Sequence, residues 1–344
     1  MRILLWHVHG TWADAFVRGG HDYVFPVTLP GDPWGLGRSG RVWPEGAREV
    51  NVADLRNTDV DAVVLQRPRE IELCTRWLGR RPGRDLPAVF LEHNTPRADV
   101  PNTRHPLADQ SDIPIVHVSH FNDLFWDCGR APTTVIEHGI IDPGALYTGE
   151  LPRMAAVINE PNRRWRVTGT DLLPRFGAAG PVDVFGIPDG ALPSGGVEHR
   201  GDLPTGRLHA ELARRRLYLH PARWTSLGLS LIEAMQLAMP VLVLASTEAV
   251  RAVPAEAGAI STDVEDLLAA ARVLLADPDE ARRRGLLARA AALERYGLPT
   301  FIDRWGEVLG ELTRRARPAS STAAPDDTPT TAQTAAAGTD GSRR

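Results

Sequence analysis

The chain has 344 residues, 43% of them hydrophobic and 24% charged, with a formal net charge of −4. That length is too great for one ordinary core and sets an expectation of two domains, and the composition is that of a folded globular protein. The slight negative charge argues against nucleic acid as a partner. The two cysteines, Cys74 and Cys128, lie in segments that read as helices; they exclude a disulfide framework and fit a reducing, cytoplasmic setting.

In chain order, residues 3–6 form a short apolar run ended at once by His7. The run is too short for a signal sequence or a membrane span and predicts a first strand. No integral membrane segment is expected; peripheral association with the inner face of a membrane stays open, although no amphipathic candidate stands out. Buried strands follow at 62–65, 88–91, 115–118 and 134–136, with helical patterns at 70–78 and 121–126 between them. Such alternation is the mark of βα units and a mostly parallel sheet.

Around residues 142–152 the pattern stops in a run of turn formers that reads as a linker. A second series then places strands at 155–158, 182–185, 217–219 and 241–244, with helices near Leu172 and at 208–215 and 229–237. Helices at 264–275, 280–295 and 301–312 follow. From about Arg317 the composition shifts to Ala, Thr, Pro, Ser, Asp and Gly, which cannot bury a core, so 317–344 is expected to be a disordered tail.

The sequence contains no lysine, so all 39 of its Lys-plus-Arg cations are arginine. This excludes a Schiff-base lysine for pyridoxal phosphate and the lysine of a phosphate-binding loop. Any bound phosphate must be held by arginine, histidine and backbone amides.

In open parallel sheets, ligands bind beyond the carboxyl ends of the strands. His7, His9 and Gly10 follow the first predicted strand, and His93 and Asn94 follow another. His117, His120, His138 with Gly139, and His220 stand at further exits, so seven of the eleven histidines sit where a cleft is expected. Each alone reads equally well as a satisfied loop residue. No spacing matches a zinc set, so no metal site is expected.

The most informative stretch runs from Arg223 through Thr225, Ser226, Leu227, Gly228 and Leu229 to Glu233 and Met235, and on to Met239-Pro240-Val241. It reads as a loop entering a helix, with Thr225 and Ser226 as caps. Gly228 would let a ligand approach the backbone, and the first amides of the helix suit a phosphate. Along the helix Ser230, Glu233 and Gln236 form one polar stripe. Periodicity alone favours a solvent-facing stripe; the alternative is a carboxylate facing the cleft, where it accepts hydrogen bonds from sugar hydroxyls.

This stretch resembles the signature of the retaining glycosyltransferases of family 4, which have the GT-B fold: a glutamate, a Gly-containing loop, a second glutamate, then Ala-Met and a Gly-Pro-Val strand entry. Residues 135–142 resemble the family's segment closing the first domain, 169–173 the start of the second domain's first helix, His199-Arg200-Gly201 the loop near the base, and 247–250 the strand-exit turn near the donor. The resemblance implies an α/β protein of two Rossmann-like domains, with parallel sheets facing a central cleft. Residues 1–146 would be the acceptor side and 147–298 the donor side, with a helix at 299–316 crossing back to the first domain.

Two departures stand out. Thr225 replaces the family's first glutamate, and Thr168 stands where the lysine of its phosphate-binding pair is expected. Arg163, Arg164 and Arg166 lie just before it, and Arg164 and Arg166 are the expected replacements. The resemblance places Glu233 on the nucleotide ribose and His93 near the sugar as the catalytic candidate. It implies donor contacts from Gly10, Arg164, Arg166, Thr225, Ser226, Leu227, Gly228, Leu229 and Glu233. His7, His9, Asn94, His138, Gly139, Arg200 and Thr247 are candidate cleft residues.

The implied function is a hexosyltransferase-like, retaining, metal-independent glycosyltransferase without a cofactor. Its donor would be a nucleoside diphosphate sugar and its acceptor a carbohydrate, lipid or small molecule. The alternatives are a nucleotide-sugar epimerase of similar fold and a non-catalytic nucleotide-sugar binder.

Overall fold

The computed structural model describes residues 1–316. The first unit contains β1 (Arg2–Leu5), α1 (Gly10–Phe16), β2 (Asp22–Val27), β3 (Ala47–Asn51), β4 (Ala62–Leu65), α2 (Arg69–Leu78), β5 (Ala88–Glu92), β6 (Ile115–His117), α3 (His120–Phe125) and β7 (Thr133–Val135). Its seven strands are parallel, in the order β3-β2-β1-β4-β5-β6-β7. The expected tail at 317–344 lies outside the described residues.

The second unit begins with β8 (Leu151–Val157), α4 (Pro161–Thr168), α5 (Leu173–Gly177), β9 (Val182–Phe185), β10 (Val197–His199), α6 (Thr205–Arg214) and β11 (Arg215–His220). It continues with α7 (Leu229–Gln236), β12 (Val241–Leu244), α8 (Ala249–Ala252), β13 (Gly258–Ser261), α9 (Val264–Ala276) and α10 (Pro278–Tyr296), and α11 (Leu298–Ala316) follows. Six parallel strands run in the order β10-β9-β8-β11-β12-β13. Two parallel sheets covered by helices form a two-domain GT-B architecture.

Buried strands of the sheet interior include apolar runs such as β4 and β12, whereas β9 carries the buried Asp183, paired with Arg153, Arg200 and Arg215. β4 and β9 are buried at every residue, as sheets covered on both faces require. The sequence expectation missed β2, β3, β10 and β13, which lie toward or at sheet edges. β3 reads Ala-Arg-Glu-Val-Asn with only Ala47 buried, so no apolar run announces it. Cys128, expected in a helix, lies in the loop after α3, and both cysteines are free.

Helix α11 buries Phe301, Trp305 and Leu309 in the core of the first unit, against Trp12 and Phe16 of α1. Gly139 makes this seat possible, because a side chain there would collide with Phe301. Among the described residues, no helix is long and apolar enough to cross a membrane.

The units touch at specific points. Trp224 donates from Nε1 to the Pro96 carbonyl at 2.7 Å and sets its ring edge-on to Phe121 and Phe125. Ser119 and Ser226 share a hydroxyl hydrogen bond of 2.7 Å. The buried Glu248 carboxylate accepts the Phe121 amide at the start of α3, 2.8 Å away, and pairs with Arg251 and Arg295.

Candidate functional site

Between the units lies a cavity of about 600 Å³ at the carboxyl ends of β8 and β11. It brings together Arg164, Thr225, Leu227, Gly228, Leu229 and Glu233 of the sequence-derived donor set. Gly10, Arg166 and Ser226 are not among its lining residues. Arg166 is an exposed side chain 3.2 Å from Asp171, which also takes a bidentate pair from Arg223. Ser226 is engaged with Ser119, as above.

The polar stripe on α7 does not face solvent. Gln236 is wholly buried, Glu233 is buried, and Ser230 accepts a hydrogen bond from Tyr218 at 2.8 Å. This corrects the reading that periodicity alone favours: both faces of α7 are covered, so its polar residues mark the cavity and the core. Glu233 stands at the cavity wall with the buried His209 of α6, whose Nε2 is 3.5 Å from its carboxylate.

Arg164 has a different character from its neighbours. Arg163 pairs with Glu160, whereas the Arg164 guanidinium has no ion pair or side-chain hydrogen bond among the described residues, though it is half-buried. Burial, reinforced by Arg163 and Arg97, lowers its pKa from the ordinary value. Thr168, in the place expected for a lysine, also lines the cavity, and its hydroxyl bonds that of Thr170 at 3.0 Å.

Gly228, read from sequence as an opening for a ligand, has a second explanation. A side chain there would strike the imidazole of His220, so the glycine admits that ring against the start of α7. Burial lowers the pKa of His220 to about 4 and keeps it neutral.

The first unit contributes a histidine group beyond β1, β5 and β7. The rings of His9 and His93 are 4.0 Å apart between centroids, and His93 and His138 are 6.5 Å apart. Burial holds His93 well below its ordinary pKa, with help from His9 and His138, and lowers His9 to about 4 and His138 to about 3. His7 is lowered as well, chiefly by burial, and packs edge-on to Trp43.

A relay that the sequence did not disclose sets the tautomer of His93. Gln66 donates from Nε2 to the Trp6 carbonyl at 2.7 Å, leaving Oε1 facing His93 Nε2 at 3.0 Å. An amide oxygen only accepts, so Nε2 carries the proton and Nδ1 keeps a free lone pair. Glu70, fully buried on α2, accepts the Gln66 backbone N–H at 2.6 Å and so holds the backbone of this residue in place. Only the pairing of a side chain after β4 with one after β5 reveals this arrangement.

The remaining candidates lie elsewhere. Asn94 is exposed, its side chain bonding Glu92 and Arg97. Arg200 is committed to Asp183 and Glu198 at the far edge of the second sheet. Thr247 holds a left-handed backbone, φ 48°, before α8. Among the described residues, no group of three or more His, Cys, Asp or Glu is arranged to hold a metal.

Residues 191–290 match the family model described as glycosyl transferases group 1. No curated protein sequence matches the chain significantly. Among solved structures, sucrose-phosphate synthase from Thermosynechococcus elongatus is 14% identical, with 92% of this chain and 100% of that one covered and a TM-score of 0.68. Anabaena HepE, solved in complex with UDP-glucose, is 14% identical, with 90% and 100% covered and a TM-score of 0.67. A glycosyltransferase from Rickettsia africae is 12% identical, with 90% and 98% covered and a TM-score of 0.60. The chain therefore has the GT-B fold, and the part of it that builds the Glu233 wall of the cavity matches the glycosyl transferases group 1 model.

Proposed function

We propose that the protein is a retaining glycosyltransferase that moves a hexose-type sugar from a nucleoside diphosphate to a hydroxyl-bearing acceptor. The observation that carries this reading is Arg164, a half-buried cation without an acidic partner, in one cavity with the Glu233 carboxylate. Burying an unpaired charge is costly, so a site that does so is matched to an anion. A volume of about 600 Å³ suits a nucleotide sugar. HepE, of the same fold, was solved with UDP-glucose, which makes a uridine nucleotide sugar the first probe.

In this reading residues 147–298 bind the donor and 1–146 the acceptor, with α11 crossing back to the first unit. Glu233 accepts hydrogen bonds from the ribose hydroxyls. Arg164 and the first amides of α7, at Leu229 and Ser230, hold the diphosphate. When the bond from the anomeric carbon to the diphosphate oxygen breaks, the electron pair stays on the phosphate, where these donors stabilise it. The acceptor oxygen forms its bond to the anomeric carbon on the same face, and its proton passes to the departing phosphate oxygen. His93, with Nδ1 free, orients the acceptor hydroxyl. The two substrates supply every atom, and no resident metal or cofactor enters the scheme. The acceptor is a carbohydrate, a lipid or a small molecule met on the cytoplasmic side.

Calorimetric titration with a panel of nucleotide sugars tests the reading. One donor should bind, and Glu233→Ala should weaken it by about 100-fold or more, since hydrogen bonds to a charged group are worth about 1.5–3 kcal/mol each. If the folded protein binds none of the panel, the reading fails. Binding without transfer or hydrolysis marks a non-catalytic binder, and turnover of the donor without an acceptor marks an epimerase.

A further inference from the structure

Arg41 lies in the loop between β2 and β3 and reaches the same cavity from the opposite unit. Arg41 and Arg164 are the two arginines among the cavity's lining residues. The loop is firmly held: Leu36 bridges to Val27, and Arg38 Nη2 donates to the carbonyls of Arg41 and Trp43 at 3.1 and 3.2 Å. Trp43 is buried against Phe25 and His7 and anchors the loop two residues beyond Arg41.

The side chain is aimed as firmly as the loop. Arg41 Nη1 is 2.6 Å from Asp14 Oδ2 on α1, while Asp14 Oδ1 takes a hydrogen bond from Trp43 Nε1. The guanidinium packs against Gly10, where any side chain would collide with Nη2 and Cζ. Gly10 is thus explained by Arg41. Nη2 and Nε have no hydrogen-bond partner among the described residues, so the guanidinium keeps donors that Asp14 does not take.

We propose that Arg41 is the first unit's half of a two-arginine diphosphate clamp, with Arg164 as the other half, so that the donor's phosphates bind across the cleft. The inference rests on the reading of this cavity as a nucleoside diphosphate sugar site. Asp14 balances Arg41 and takes only one of its nitrogens, while Arg164 has no acidic partner, so a diphosphate in the cavity takes charge-assisted hydrogen bonds from both units. Binding the donor therefore also draws the two units together. Asp14 is a positioning residue, acting only through Arg41.

Calorimetry with UDP, GDP and ADP, followed by the monophosphate of whichever binds, tests the clamp on the full chain. Arg41→Gln should weaken the diphosphate by about 10- to 100-fold and the monophosphate by less than about threefold. Arg41→Lys should recover part of the loss, and Asp14→Asn should cost a few-fold on the diphosphate alone. In small-angle scattering, the diphosphate should reduce the radius of gyration of the wild type and not of Arg41→Gln. If Arg41→Gln binds the diphosphate like wild type while Arg164→Gln does not, the clamp is overturned and the cavity reading stands. Equal losses for diphosphate and monophosphate would mean that Arg41 only shapes the loop, which also overturns it. Should Arg41→Gln fail to fold, Asp14→Asn decides, and an unchanged diphosphate affinity in it counts against the clamp. If the wild type binds no nucleotide at all, the reading of the cavity fails and the clamp falls with it.

Discussion

The two walls of the cleft are built on opposite electrostatic plans. On the first unit, the His93 ring lies 4.0 Å from that of His9 and 6.5 Å from that of His138 between centroids, and burial keeps all three neutral. On the second unit, Arg164 keeps its charge without a partner and Glu233 faces the same space. A neutral, hydrogen-bonding wall suits an uncharged hydroxyl; a charged wall suits a nucleoside diphosphate. Arg41 is the exception, a cation from the first unit that looks toward the second. In the proposed reading, the neutral wall meets the acceptor and the charged wall the donor.

Acidification should break the neutral plan with the largest effect. Folding lowers the pKa of His9 from 6.5 to about 4, and that of His138 to about 3, chiefly by burial. Between those values the unfolded chain binds protons that the folded chain does not. Stability is therefore fully present above pH 6.5 and falls as pH drops toward 4. By pH 5 each of these two imidazoles should cost roughly 2 kcal/mol, read as a falling urea midpoint from pH 7 to 5. A flat midpoint over that range would sink this account of the first wall.

Arg164→Gln sharpens the charged plan. It should weaken the donor by about 2 kcal/mol, roughly 30-fold, and flatten the dependence of affinity on salt. His93→Gln should leave donor affinity unchanged and lower turnover by about tenfold, one lost hydrogen bond in the transition state. A shift in donor affinity instead would move His93 to the donor side. Ser226→Ala removes only the hydroxyl link to Ser119 and should cost about 1 kcal/mol or less in chemical denaturation.

Much of the frame is legible in the amino-acid order. β4 and β12 are unbroken apolar runs, and α9 and α10 start at aspartates whose side chains cap them. β3 and β10 are not legible, because strands with few buried side chains need no apolar pattern; their partners define them. Glu233 was reachable through its motif, though the stripe pattern pointed outward, since periodicity sees one helix and not what covers it. Gln66 and Arg41 were invisible for a plainer reason. Each acts through a residue far away in the chain, Gln66 on His93 and Arg41 over Gly10, and such pairings exist only after folding.

The seat of α11 bears on how the chain is made. Phe301, Trp305 and Leu309 complete a core whose strands are all synthesised before residue 136. A ribosome adding about 5–20 residues per second needs on the order of ten seconds or more to supply them. Throughout that interval the apolar faces of Trp12 and Phe16 lack their cover. During synthesis the first half of the protein waits for the second, and that waiting period is when a chaperone would find it.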